Sequence, residues 1–318
     1  MGVLWNTKNL RLRSAMRSLT FRDITWHDDS NPSEEDLLRL QQQYGFHELD
    51  IEDCLSVHER PKVEEYDDYL FLVFHIPYLH KKTGRIFKEE VNIFLGASFV
   101  ATLHKGNLPT IDNLWTEIES SQEKKEEYLQ HGTGFLLYEL MSRFFDNVFP
   151  LVDTITKQLR AVEDRLFESE EQVNLLREIM TLKRNIITMR SILLPQRTLV
   201  ATLEHKNKKF VSEELALYFD DILDAIERQW SLLDTAKELS EALQDTHESW
   251  LSHKTNAVVK LLTIFSVTML PLTVITGLYG MNVELPYQNT PQIFMGILIV
   301  MLGVLAVMLG YFAKKHWL

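Results

Sequence analysis

Two apolar runs near the C-terminal end constrain this chain more than any other feature. Leu261 to Leu278 is 18 residues long and Ile293 to Phe312 is 20, and neither contains an Asp, Glu, Lys or Arg. Each is long enough to cross about 30 Å of hydrocarbon as a helix. A core helix of a soluble protein can also be apolar all round, but two consecutive ones of this length in one chain favour a membrane hairpin. The flanks orient it. Lys254 and Lys260 precede the first run, Lys314 and Lys315 follow the second, and the link between them has no Lys or Arg. An excess of basic residues on one side predicts that both termini are cytoplasmic and the link lies outside. Trp250, Tyr279, Tyr287, Tyr311 and Trp317 fall at the two interfaces, where amphipathic rings settle.

The rest of the chain is water-facing and acidic. Of 318 residues, 45 are Asp or Glu and 33 are Lys or Arg, a net charge of −12, and Glu284 is the one ionisable acid or base from Leu261 to Ala313. This acidity argues against a nucleic-acid partner, whose phosphates it would repel, and suits attraction of cations. Solubility alone would also account for it. Cys54 is the single cysteine, so no intrachain disulfide or thiolate metal cluster can form, as in a reducing compartment. The start, "MGVLWNTKNLRLRSAM", has no continuous apolar stretch of a secretion signal.

Residues 1–132 read as an α/β domain. "YDDYLFLVFHIPYL" and "EEVNIFLGASFVATLH" carry strand-like apolar runs, the second interrupted by a hairpin turn at Gly96, Ala97 and Ser98. "NPSEEDLLRLQQQYG" opens on Pro32 and Ser33 and closes on Gly45, the marks of a capped helix. From Phe135 to Thr276 there is no glycine and only Pro150, Pro195 and Pro271 intervene. Apolar residues at helical spacing predict one helix through Leu140, Phe144, Leu151, Ile155, Leu159, Val162 and Leu166, and a second through Leu176, Ile179, Leu182, Ile186 and Ile192, turning at Glu168 to Gln172. This pair occupies 133–211. A third helix starts at Ser212, with Glu213 and Glu214 in an acidic first turn, and nothing stops it before Leu278. At about 1.5 Å per residue it is a rod of roughly 100 Å, divided into a cytoplasmic stalk, 212–256, and a first membrane helix, 257–279. The outer loop is 280–292, the second membrane helix 293–313 and the basic tail 314–318.

The first span is the less lipid-like. Asn256, Thr263, Ser266, Leu270, Thr273, Gly277 and Gly280 recur at three- and four-residue intervals, which fits either close helix packing or a pore-lining face. Pro271 frees the Val267 carbonyl, through a kink or toward a wet cavity. One stripe cannot surround water, so a pore demands several copies of the chain.

The link begins "TGLYGMNVELPYQNTPQ". The tripeptide Gly280, Met281, Asn282, directly after Tyr279 and between two C-terminal apolar runs, resembles the signature of the CorA family of divalent-cation channels. "HKTNAVVKLLTIFSVTMLPLTVITGLYGMN" is similar to the family's first membrane helix, and "EDCLSVHERPKVEEYDDYLFLVFH" to its N-terminal domain. The resemblance covers the whole chain. It implies an α/β cytoplasmic domain, a long helical stalk and two C-terminal transmembrane helices, assembled as a homopentameric funnel in the cell membrane. Gly280, Met281 and Asn282 would form the selectivity filter. Asn256, Leu262, Leu270, Thr273 and Gly277 would line the pore, with Leu262 where the unaided stripe has Thr263. Lys314 and Lys315, with His316, match a basic ring, a role compatible with anchoring at the membrane surface. Asp221 falls at the family's acidic sensing position, flanked by Asp220 and Asp224; a solvated helix face would look the same. Where some members place an acidic partner, this chain has His80, and Glu64, Glu65, Asp67 and Asp68 are substitutes.

The implied activity is passive Mg²⁺ influx, with Co²⁺ and Ni²⁺ as further ions, closed by cytoplasmic Mg²⁺ bound between subunits. Mg²⁺ is then both cargo and regulator, and no cofactor is implied. It keeps its waters tenaciously, so neutral Asn282 oxygens and nearby carbonyls suit a hydrated ion, while Glu284 raises the local cation concentration or is merely solvated. Two rivals stand beside this: a zinc transporter of the same superfamily, and a non-conducting membrane-anchored sensor or scaffold. An enzyme is disfavoured. His247 and His253 are six apart, unlike a zinc-protease pair, and no phosphate loop or nucleophile motif appears.

Overall fold

In a computed structural model of the chain, residues 16–56, 59–106, 108–166, 172–205, 210–283 and 291–317 are described. They fall into two compact units, divided between Leu243 and Gln244. The first is built on a six-stranded sheet: β1 (Arg17–Phe21), β2 (Ile24–Ser30), β3 (Lys62–Glu65), β4 (Tyr69–His80), β5 (Arg85–Gly96) and β6 (Phe99–His104). The order is β1-β2-β6-β5-β4-β3, with β2 and β6 parallel and every other pair antiparallel. The two sequence segments read as strands become β4, β5 and β6, with the turn at Ala97 and Ser98.

Both faces of this sheet are covered, which is why its central strands are continuous apolar runs rather than alternating ones. Leu70, Leu72 and Phe74 of β4 face one core with Val91 and Ile93 of β5. Tyr69, Phe71 and Val73 face the other with Phe94, Phe99 and Leu103. The smaller core is closed by α1 (Glu34–Tyr44) and α2 (Glu48–Leu55). Ser33 caps α1 in a reciprocal capping box with Asp36, and Gly45 ends it in the left-handed region at φ 72°, where a Cβ is costly. Buried Asp28 holds the β1-β2-β6 end together. Burial opposes its charge, but the bond and charge of His104, Thr102 and Arg17 hold its carboxyl below the ordinary range.

The larger core lies under α3 (Pro109–Glu119), α4 (Gln122–Leu129), α5 (Thr133–Asp146), α6 (Val148–Arg165) and α7 (Gln172–His205). The first long helix expected from periodicity is therefore two. Its break falls at Asn147 because the Pro150 ring excludes the carbonyl of residue 146 from a continuous helix. In the new first turn the missing N–H of Pro150 costs nothing. The expected turn at Glu168 to Gln172 lies largely outside the described residues, and Arg165 and Glu178 pair across it at 2.8 Å.

Strands β4 and β5 extend past their outer neighbours, since β3 pairs with β4 only as far as Val73 and β6 with β5 only from Val91. Helix α7 covers the exposed edges with amides. Gln196 accepts from the His75 N–H and donates to its carbonyl at 2.8 Å. Asn185 does the same for the Ile86 N–H and the Gly84 carbonyl.

After a 3-10 turn at Glu213–Leu215, α8 runs unbroken from Ala216 to Tyr279, 64 residues, through Pro271. Ser212 makes no side-chain cap bond; the tight turn supplies the helix start instead. In the first unit Leu215, Phe219, Ile222, Ile226 and Leu233 of α8 are buried, and fully buried Gln229 donates to the Phe145 carbonyl at the end of α5. The second unit holds the rest of α8 and α9 (Pro291–Lys314).

Replacing Gln196 by Leu leaves the buried backbone groups of His75 unpaired. The variant should lose about 2 kcal/mol of stability, read as a lowered guanidinium midpoint with unchanged slope against an exposed α7 control, Thr198→Ala.

Candidate functional site

Helices α8 and α9 contain windows of mean hydropathy 2.1 and 2.8, of which 11% and 0% is buried. These are not core helices of a soluble fold: their apolar surface is turned outward. What shielding there is forms one stripe on each. On α8, Ile264 and Thr268 are buried, and Lys260, Pro271, Leu272 and Ile275 are half-buried. On α9, Phe312 is buried, and Ile293, Ile297, Met301, Val304, Leu305 and Met308 are half-buried. Steps of three and four residues make each set a single face, and the two faces pack the hairpin together.

The candidate pore residues lie on the other side of α8. At about 100° per residue, Leu262, Ser266, Leu270, Thr273, Gly277 and Gly280 all fall within about 60° of the direction opposite Ile264. Leu262 is 63% exposed and Leu270 68%. Thr263 is half-buried at the flank of this face, so Leu262 is the better member at that level. Asn256 is exposed but lies about 100° away from the face on a straight helix. The hydroxyl of Thr273 donates to the Met269 carbonyl at 2.9 Å, and that of Thr276 to Leu272 at 3.0 Å. Both donors are satisfied internally, leaving oxygen lone pairs on the helix surface.

Gly280 ends α8. Its N–H donates to the Thr276 carbonyl at 2.9 Å, and a Cβ placed on it would sit 2.9 Å from that same oxygen. A side chain here would push the turn open, whereas at Gly277 a Cβ meets nothing within 4 Å. Met281 and Asn282 follow immediately and are exposed, so the helix end fixes where the asparagine amide begins. Glu284 and Tyr287 lie outside the described residues.

In the first unit, Asp220, Asp221 and Asp224 are exposed on α8. Among the described residues, no group of three or more His, Cys, Asp or Glu side chains is arranged to hold a metal ion. The three aspartates alone are therefore not a preformed cage. The structure does add an acid that sequence reasoning missed. Asp146, at the end of α5, has its carboxyl pushed up by burial and by the charge of Asp221, against the pull of Arg143 and Arg228. Two carboxylates on different helices thus share one field, the situation a cation relieves. Helical periodicity marks only core positions of α5 and gives no sign of Asp146; its partner comes from the α5–α8 packing set by Gln229.

Other candidates are engaged elsewhere. The His80 ring is exposed and bonded to Thr83 in its own turn. Glu64 accepts from Lys62 and Tyr66; despite burial, these hold its carboxyl below the usual range. Glu65, Asp67 and Asp68 are exposed. Lys314 and Lys315 are exposed at the end of α9, with Lys315 over the Tyr311 ring.

The raised Asp146 carboxyl fixes the sign of a test. Its ionised form is disfavoured in the folded state, so near neutral pH it subtracts from stability, and the loss is relieved as pH falls into the carboxylate range. Asp146→Asn should raise the melting temperature of the metal-free protein at pH 7 by about 1–2 °C, with the gain vanishing at acid pH.

The chain as a whole resembles known proteins. Residues 21–315 match the family model described as CorA-like Mg2+ transporter protein. YfjQ of Bacillus subtilis is 32% identical, covering 93% of this chain and 91% of its own. The cobalt/magnesium transport protein CorA of Thermotoga maritima is 30% identical over 94% of this chain and 86% of its own. Among solved structures, the complete CorA magnesium transporter of Methanocaldococcus jannaschii superposes with a TM-score of 0.82 at 22% identity, covering 94% of each chain. The cytoplasmic domain of ZntB from Vibrio parahaemolyticus gives 0.57 at 13% identity, covering 73% of this chain and 90% of its own. With its family model spanning nearly the full length, its α/β domain, long helix and two C-terminal apolar helices, this chain belongs to the CorA-like Mg²⁺ transporter family.

Proposed function

We propose that the protein is a homopentameric Mg²⁺ influx channel of the cell membrane, with both termini cytoplasmic. The observation that carries this reading is the outward face of α8. Leu262, Ser266, Leu270, Thr273 and Gly277 lie opposite the face that packs α9 and lead directly to Gly280, Met281 and Asn282. Apart from Leu262 and Leu270 this face is polar or small, and turned away from the hairpin's own contact it suits further helices or water rather than lipid. Several copies of α8 around an axis would give it water on one side and leave α9 to the bilayer.

The chemistry of the path favours a hydrated ion. Five Asn282 amides would present neutral oxygens to the waters of Mg²⁺, strong enough to order them and weak enough to release them. Leu262 and Leu270 would narrow the path with apolar side chains, which close by excluding water. The membrane potential supplies about 2.3 kcal/mol per charge per 100 mV, doubled for a divalent ion, so inward flow needs no nucleotide. Co²⁺ and Ni²⁺ fit the same neutral ring. Closure is assigned to cytoplasmic Mg²⁺ at Asp221, with Asp146 the second carboxylate and Asp220 and Asp224 enlarging the negative field. A subunit contact would complete the coordination, and Lys314 and Lys315 would set a positive ring at the inner mouth.

The zinc reading has one specific support: the cytoplasmic fold is shared with the ZntB domain. Uptake into liposomes under an inside-negative potential separates the readings. Mg²⁺ should enter with the wild type and stop entering with assembled Asn282→Ala. Zn²⁺ uptake without Mg²⁺ would assign the chain to zinc, and no flux of either from a verified oligomer would leave a sensor. On the sensing side, Mg²⁺ should raise the melting temperature of the wild type and do so less in Asp221→Asn and Asp146→Asn.

A further inference from the structure

The end of α9 carries a structure that neither positive-inside anchoring nor a basic ring requires. His316 stands in the left-handed region at φ 55°, a conformation that is strained for a residue with a Cβ. It does so to close a helix cap. The His316 N–H donates to the Ala313 carbonyl at 3.0 Å, and the Trp317 N–H to the Phe312 carbonyl at 2.9 Å. This pair of backward bonds is the Schellman arrangement, and its usual apolar contact is present too: the Trp317 ring stacks on Phe312, centroids 5.7 Å apart and planes 22° apart. Glycine would fill the left-handed position without strain. A histidine held there implies that its surroundings over-determine the turn.

Those surroundings belong to α8. The Lys260 ammonium donates to the His316 carbonyl at 2.8 Å and lies 6.0 Å from the centre of the Trp317 ring. Lys260 is half-buried, one turn before buried Ile264 and on the same face. Buried Phe312 ends the matching face of α9. The ammonium therefore meets the negative end of the α9 dipole, an orphan carbonyl and an aromatic face together. Lys254, by contrast, is exposed and rests over Trp250 of its own helix, as a surface anchor does.

We propose that Lys260 and the capped end of α9, Lys315 to Trp317, form a clasp that locks the outer helix to the pore helix at the cytoplasmic end of the hairpin. Lys260 is thereby a positioning residue for the conduction path, and α9 cannot rotate at that end without carrying α8. The conduction half of this statement rests on the pore reading above; the clasp itself does not.

The full-length protein in lipid nanodiscs tests both halves. Lys260→Met and Trp317→Leu should each lower the apparent melting temperature by about 2–4 °C. The double variant should fall by less than the sum of the two single losses, since Lys260 and Trp317 meet on one turn, and Lys260→Arg should restore most of the loss. His316→Gly should be as stable as the wild type or more so, and His316→Val distinctly less stable. Ion flux should change with Lys260→Met and Trp317→Leu and return with Lys260→Arg. Additive losses, or equal behaviour of the Gly and Val variants, would overturn the clasp and make the tail a free basic anchor. A clasp verified by melting with flux unaltered in every variant would overturn the positioning role. If the wild type conducts nothing, the pore reading fails while the melting cycle still decides the clasp.

Discussion

The structure depends on one helix that changes solvent along its length. In its first half α8 buries Phe219, Ile222, Ile226, Gln229, Leu233, Ala236, Ser240 and Leu243 at helical spacing, the pattern of a helix sealing a water-soluble core. Beyond Gln244 the pattern inverts. From Leu251 onward apolar side chains are largely outside, and the shielded positions from Lys260 on, with Ile264 and Thr268 at their centre, form mainly one stripe. In hydrocarbon the backbone groups must be paired within the helix; α8 continues through Pro271, whose missing N–H leaves the Val267 carbonyl without its usual partner. Asp221 near its start and Tyr279 at its end belong to the same helix.

Much of this was legible in the sequence because long-range order here is written in local chemistry. The absence of glycine between Phe135 and Thr276 and the uncharged runs dictate helices and their surroundings. Ser33 and Gly45 mark a helix by capping groups within its own span. What was not legible is what depends on a second element. The division of α5 from α6 was signalled by Pro150, but periodicity runs across it undisturbed. Asp146 looks like any surface acid until α8 places Asp221 beside it. Periodicity alone put Thr263 on the outward face; the family resemblance put Leu262 there, and the packed stripe through Ile264 leaves Thr263 at the flank. Lys260 reads as a flanking charge until the last turn of α9 folds over it.

The same contrast separates the two kinds of charge in the molecule. Carboxylates with cationic or hydroxyl partners inside the chain, such as Asp28 and Glu64, are held low and serve the fold. Asp146 is raised, and the field it shares with Asp221 is answered only partly by Arg143 and Arg228. A folded domain tolerates such a cost where another ligand removes it. On the proposed reading that ligand is the transported ion, so the energy left uncompensated in the empty state becomes the free energy by which cytoplasmic Mg²⁺ biases the channel toward closure.

Selectivity must reside elsewhere, because the fold cannot supply it. The CorA transporter of M. jannaschii and the ZntB domain share this fold at 22% and 13% identity, and a shared fold does not assign a metal. Discrimination between Mg²⁺ and Zn²⁺ is a matter of ligand softness and dehydration. Zn²⁺ accepts nitrogen and sulfur readily, whereas Mg²⁺ demands oxygen and keeps its water. The described part of the proposed path presents threonine hydroxyls, backbone carbonyls and the Asn282 amide, and no His or Cys lies from Lys254 to Lys315. Neutral oxygens of this kind suit an ion that keeps its waters. The glycine at position 280, whose place no side chain can take without moving the Thr276 carbonyl, fixes where Met281 and Asn282 leave the helix end.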